Sequence, residues 1–141
     1  MGADLIVAPD VQTLSKTFTF TGGVGTGAVG QATVFTPSAP VLAKSISCRC
    51  TTSLESATGT VSLGTSGVVN SLIAATAASA IDAGEYWASV TPGIAVLAEP
   101  SAHANFLVGT PITMDILLED ITAGVLVFTL EYVSIGGSTV A

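Results

Sequence analysis

Pro111-Ile112-Thr113-Met114-Asp115-Ile116-Leu117-Leu118-Glu119-Asp120-Ile121-Thr122-Ala123-Gly124-Val125-Leu126-Val127-Phe128-Thr129-Leu130-Glu131-Tyr132-Val133-Ser134 is the stretch that decides the fold class. Before the break, Ile112, Met114, Ile116 and Leu118 alternate with Thr113, Asp115, Leu117 and Glu119. After it, Leu126, Phe128, Leu130 and Tyr132 alternate with Val125, Val127, Thr129 and Glu131. Successive strand side chains point to opposite faces, so each run is a strand with one apolar face. The short Gly-containing connection predicts a β-hairpin. Leu117, Val125, Val127 and Val133 make the second face apolar as well. An antiparallel sheet in a free sandwich turns polar residues outward. Such a strand is either central under a covering loop or packed against another copy, and we expect the second.

Upstream, the same alternation recurs. Leu14, Lys16, Phe18 and Phe20 share one side, with Ser15, Thr17 and Thr19 on the other. Residues 41–52 form a second long run, with Leu42, Ile46, Cys48 and Cys50 opposite Val41, Ala43, Ser45, Ser47, Arg49 and Thr51. Shorter strands are expected at 31–36, 57–64, 85–90, 94–98 and 104–108. The six prolines, at positions 9, 37, 40, 92, 100 and 111, all fall where the alternation breaks, as suits a residue that cannot donate into a ladder. Residues 69–81 are ambiguous, because Val69, Leu72, Ile73, Ala77, Ala80 and Ile81 also fit one helical face with Gly84 just beyond it. About eight to ten short strands at this spacing predict an all-β chain, a single β-sandwich of jelly-roll type over residues 14–141. Residues 1–13 read as an extended N-terminal arm, and the triplet Leu5, Ile6 and Val7 is expected to be held by a neighbour.

Composition narrows the function classes. The chain has 141 residues and 49% hydrophobic residues, enough for one domain with a real core and too apolar for a disordered chain. Charged residues make up only 9%, against about 25% in ordinary soluble domains, so Ser, Thr, Ala and Gly must cover the surface. This favours a surface partly occluded in an assembly. Three basic and ten acidic residues give a net charge of −7, which argues against nucleic-acid binding and against anionic membrane surfaces. No apolar stretch is long enough for a membrane span, and the N-terminal residues lack the basic and apolar regions of a secretory signal.

Little in the chain resembles site chemistry. Gly25-Thr26-Gly27-Ala28-Val29-Gly30 has the spacing of a dinucleotide-binding glycine motif, but Gln31 to Thr36 reads as strand where that motif needs a helix. A glycine loop that allows close approach of another chain is the plainer account. His103 is the sole histidine, and Gly64-Thr65-Ser66-Gly67 is not a nucleophile elbow. Cys48, Cys50 and His103 offer three metal ligands at most, without a zinc spacing. The two cysteines flank Arg49 on one strand face and read as buried free thiols. No catalytic residue, metal or cofactor is expected. Trp87, the sole tryptophan, follows Tyr86, and either a core role or an interface and sugar-stacking role fits it.

Four segments carry a family resemblance: Thr17-Phe18-Thr19-Phe20-Thr21-Gly22-Gly23-Val24-Gly25-Thr26-Gly27, Ile46-Ser47-Cys48-Arg49-Cys50-Thr51-Thr52-Ser53-Leu54, Val61-Ser62-Leu63-Gly64-Thr65 and Ile81-Asp82-Ala83-Gly84-Glu85-Tyr86-Trp87. With the Asp120 to Gly124 turn, they resemble small structural proteins of tailed-bacteriophage virions, in particular capsid decoration or cement proteins. The resemblance implies a non-enzymatic β-sandwich on the capsid exterior, made in the host cytoplasm. It implies a homo-oligomer, with a trimer expected, bound to the major capsid protein. Head-fibre or tail-tip modules that bind a host receptor or glycan are the alternative that the resemblance leaves open. The candidate interface residues are Leu5, Ile6, Val7, Trp87, Leu117, Val125, Val127 and Val133.

Overall fold

The computed structural model describes residues 11–94 and 103–141, and the backbone alone of His103, Ala104 and Asn105. Among the described residues eight strands are formed: β1 (Val11–Thr19), β2 (Gly30–Phe35), β3 (Val41–Glu55), β4 (Thr60–Thr65), β5 (Ile73–Ala77), β6 (His103–Val108), β7 (Ile112–Leu117) and β8 (Ala123–Ser134). They build two four-stranded sheets, ordered β1-β8-β3-β6 and β2-β7-β4-β5. Every ladder is antiparallel. This strand order is that of a jelly roll, as the sequence predicts. The inward rows of both sheets meet in one core. Val41, Ile46, Cys48, Leu126, Phe128 and Leu130 come from one sheet, and Val34, Val61, Leu63, Ile112, Met114 and Ile116 from the other.

The connection between β7 and β8 departs from expectation. The two strands lie in opposite sheets, so residues 118–122 form an arch across the end of the sandwich and not a hairpin. Their apolar faces look at each other through the core. The alternation is the same in either arrangement, so it does not distinguish them. β4 and β5 are the only strands consecutive in sequence that share a ladder among those described. Leu118 does not continue the β7 core row, because the strand ends at Leu117 and Leu118 is exposed.

Three other expectations shift. β1 takes in Val11, Gln12 and Thr13, which pair with Val133, Tyr132 and Glu131, so those three residues belong to the sheet and not to an arm. The triplet Leu5, Ile6 and Val7 lies outside the described residues. Residues 69–81 are not α-helical: Ile73–Ala77 is β5, followed by a single 3-10 turn at Ala78–Ala80. Pairing with Val61 and Leu63 overrides the local helical preference of alanine. In β3 the register shifts between Ala43 and Ser45, so Lys44 is a bulged residue. The bulge puts Val41 and Ala43 on the same buried side as Ile46, and Leu42 on the outer side. Residues 85–94 are not a regular strand and contribute only bridges, from Tyr86 to Arg49 and to Gly93. Expected residues 95–98 lie outside the described range.

The outer faces of the two sheets are unlike. On the β2-β7-β4-β5 sheet, the β4–β5 loop folds back over the strands. Ser62 Oγ donates to the Val69 carbonyl at 2.9 Å, and Leu72 N–H to the Leu63 carbonyl at 2.9 Å. This loop buries Ser62 and Thr113 although both point outward. On the β1-β8-β3-β6 sheet, Thr13, Ser15, Thr17 and Thr19 of β1 are exposed, and Val125, Val127 and Val133 of β8 are half-buried. That face keeps a hydroxyl-rich exterior, with Ser15 Oγ and Thr129 Oγ1 3.2 Å apart.

Candidate functional site

The folded chain sorts its charges by position. At one end lie the β1–β2 loop, the β3–β4 loop, the segment after β5 and the β7–β8 arch. They are knitted together: Ile121 N–H donates to the Gly27 carbonyl at 2.8 Å, Thr122 N–H to the Glu55 carbonyl at 3.0 Å, and Leu54 N–H to the Ile81 carbonyl at 3.1 Å. This end collects Glu55, Asp82, Glu85, Glu119 and Asp120 and, among the described residues, holds no basic residue.

At the opposite end, Thr36 N–H donates to the Ala141 carbonyl at 2.7 Å, Ser38 N–H to the Thr139 carbonyl at 2.7 Å, and Ser66 N–H to the Pro111 carbonyl at 3.1 Å. The loops gathered there, residues 36–40, 65–72, 109–111 and 134–141, contain no Asp, Glu, Lys, Arg or His. Around them Val11, Val68, Leu107 and Ile135 are exposed at 49%, 56%, 70% and 48%. Among the described residues, one end can be stripped of water without isolating a side-chain charge, and the other cannot.

The acidic end is built, not merely decorated. Glu119 N–H donates to the Leu117 carbonyl at 2.9 Å across Leu118, whose φ is +74°. That is a γ-turn of the rarer, strained kind, and it is occupied by an exposed leucine. The two following carboxylates hold it. Glu119 accepts from Ser56 Oγ at 2.8 Å and from the Ala57 backbone N–H at 2.6 Å. Asp120 Oδ1 accepts from the Val29 N–H at 2.8 Å. The arch therefore clasps the β3–β4 loop with one acid and the β1–β2 loop with the next. These hydrogen bonds, Ser56 first, hold the Glu119 carboxyl below its usual pKa.

The candidate residues scatter over this frame. Trp87 is fully buried, and its indole Nε1–H donates to Thr76 Oγ1 at 2.9 Å. It is a core residue, not part of an outward surface. Burial satisfies both its apolar body and its one polar atom. Leu117 is 45% exposed at the acidic end. Val125, Val127 and Val133 line the outer face of the β1-β8-β3-β6 sheet. No single patch unites the described candidates.

The glycine motif is a loop entering β2, with Gly25, Gly27 and Gly30 at positive φ and strand, not helix, after it. Gly27 is required because the Ile121 carbonyl passes where a Cβ would stand. Cys48 and Cys50 are buried free thiols. Cys50 Sγ donates to the Thr52 carbonyl at 3.1 Å. Burial, with the neighbouring Cys50, raises the Cys48 pKa well above the ordinary thiol value. Among the described residues, no three His, Cys, Asp or Glu side chains gather to hold a metal ion. Also among them, no helix is long and apolar enough to cross a membrane.

The segregation of charge had no signal in the linear sequence, because it arises only when the topology brings distant loops to one end. No family model, curated protein or solved structure matches the chain.

Proposed function

We propose that this chain is a non-enzymatic bacteriophage virion protein, a capsid decoration or cement protein. It would bind the major capsid protein on the outer capsid surface through its uncharged end. The observation that carries this reading is the one-sided distribution of charge. Docking either end on a shell removes water from it. Burying unpaired carboxylates is far more costly than burying Val11, Val68 and Ile135, which gain by it. The uncharged end is thus the one that favours attachment, and the five carboxylates of the other end face solvent and keep the particle soluble. The mechanism is mass action: a protein that binds only the assembled shell stabilises that shell. The resemblance to virion proteins supplies the partner. The alternative, a fibre or tail-tip module stacking a sugar on Trp87, loses its central residue to the core.

The test is occupancy on particles assembled without this chain. Val68→Asp and Ile135→Asp should each lower binding about tenfold or more, by placing a charge in a desolvated contact. Leu118→Asp, at the far end, should leave occupancy unchanged. Loss of binding only in the Leu118 variant would reverse the orientation, and no binding by the native chain would refute the reading.

A further inference from the structure

We propose that the outer face of the β1-β8-β3-β6 sheet is a two-fold contact between copies of this chain. Two chains of net charge −7 repel each other unless they meet where their charges complement. The acidic end offers five carboxylates and no base. The face opposite, on the β2-β7-β4-β5 sheet, carries Asp115 and is overlaid by the β4–β5 loop. The β1-β8-β3-β6 face holds Lys44, Arg49 and Glu131, all exposed, and among the described residues it is the one place where bases outnumber acids. The remaining lysine, Lys16, is on the inward row of β1, its Nζ 5.9 Å from the centre of the Phe35 ring.

The register shows how the face would meet itself. Its cross-strand rows run Val11, Val133, Leu42 and Leu107; then Thr13, Glu131 and Ser45; then Ser15, Thr129 and Ser47; then Thr17, Val127 and Arg49; then Thr19, Val125 and Thr52. Glu131 and Arg49 therefore sit on either side of the central hydroxyl row. They are about 13 Å apart along the strands, too far to pair within one chain. A two-fold axis lying in the interface, across the strands at Thr129, brings the second row over the fourth. Glu131 of each copy then reaches Arg49 of the other across one strand spacing, and Val133 lies over the other copy's Val125. A contact of this kind is isologous and closes on itself.

The size approaches that of a stable interface. β1, β3 and β8 with β6 span about 19 Å by 30 Å at ordinary strand spacing and rise. That is roughly 550 Å² in projection, and side-chain relief brings it toward the ~800 Å² per partner of a stable interface. A closed pair differs from the trimer that the resemblance implies, and because its axis reverses the strands, the two uncharged ends point apart and only one of them can meet a shell. It does not depend on the virion reading, since it is measured on the purified chain.

Sedimentation equilibrium and light scattering of the full chain should give twice the 14.0 kDa chain mass. Arg49→Glu and Glu131→Arg should each weaken pairing about tenfold, because the axis repeats every pair twice. The two reversals combined should restore it, which general destabilisation would not do. Thr129→Arg, on the axis and against its own symmetry mate, should leave folded monomers, with folding read from the fluorescence of Trp87. A native chain that stays monomeric at millimolar concentration or forms a trimer would overturn the proposal. So would a double reversal no better than the single ones.

Discussion

Trp87→Phe tests whether the sole tryptophan is structural. The indole is fully buried, and its N–H donates to Thr76 Oγ1, which in turn donates to the Ala74 carbonyl at 2.9 Å. Phenylalanine removes the pyrrole part of the ring, about two buried methylene equivalents, for a loss of about 1.5 kcal/mol. The missing hydrogen bond adds about 1 kcal/mol. The variant should therefore lose about 2.5 kcal/mol. Over 141 residues, at about 2.1 cal/mol/K of unfolding entropy per residue, this lowers Tm by about 8 °C. Thermal and urea unfolding measure it directly. Thr76→Val in the Trp87→Phe background completes a cycle with a coupling of about 1 kcal/mol, because the hydrogen bond can be lost only once. In the native chain the indole should resist acrylamide quenching until unfolding. A Trp87→Phe protein of unchanged stability that no longer binds particles or glycans would refute the core assignment and return Trp87 to an interface.

Two further predictions concern the acidic end. Glu119→Gln should loosen the β3–β4 loop, seen as faster amide exchange at Ala57, with the core strands unaffected. The pH dependence has a definite sign: the folded pKa of Glu119 is depressed, so its contribution is present above the unfolded carboxyl value and fades as pH falls through the lower folded value. Native exchange at Ala57 should accelerate in that acidic window, and the Gln variant should lack the step; a step of equal size in both proteins would reject the clasp. Gly124→Ala should destabilise by about 2–4 kcal/mol in chemical denaturation, because φ is +121° and an added Cβ would stand 2.8 Å from Leu54 Cα, besides striking its side chain. A near-neutral result would show that the start of β8 can move away from β3.

Much of the sandwich is legible in alternation alone. Leu126, Phe128, Leu130 and Tyr132 announce their burial, and so do Ile112, Met114 and Ile116, because a half-buried strand needs a period of two. What lies beyond legibility is relational. Whether two successive strands share a sheet or face each other depends on the whole topology, so residues 118–122 read as a hairpin and fold as an arch. One bulge at Lys44 is enough to exchange the faces of Leu42 and Ala43, and no composition rule marks it. Leu118 looked like the next core residue by spacing, yet the γ-turn that Glu119 and Asp120 hold in place turns it to solvent. The alanines of residues 73–80 favour helix locally and are outbid by a ladder with β4. The candidate surfaces were the least legible of all. Glu55, Asp82 and Glu119 are far apart in sequence, and nothing short of the fold says that they share an end.

The place of β8 has a consequence for how the chain is made. Of the described strands β8 is made last, yet it lies between β1, made first, and β3. Until it arrives, β1 has no described partner in its sheet, and the long edge of β3 is open. The sheet therefore cannot close until β8 has emerged, with a large share of distant pairings still to form. In that interval Phe18, Ile46 and Cys48 are uncovered beside unpaired backbone, and neighbouring chains are open to mispairing. The few charges of this protein give such an intermediate little protection, so its yield should depend on temperature and on chaperones more than the compact end state would indicate.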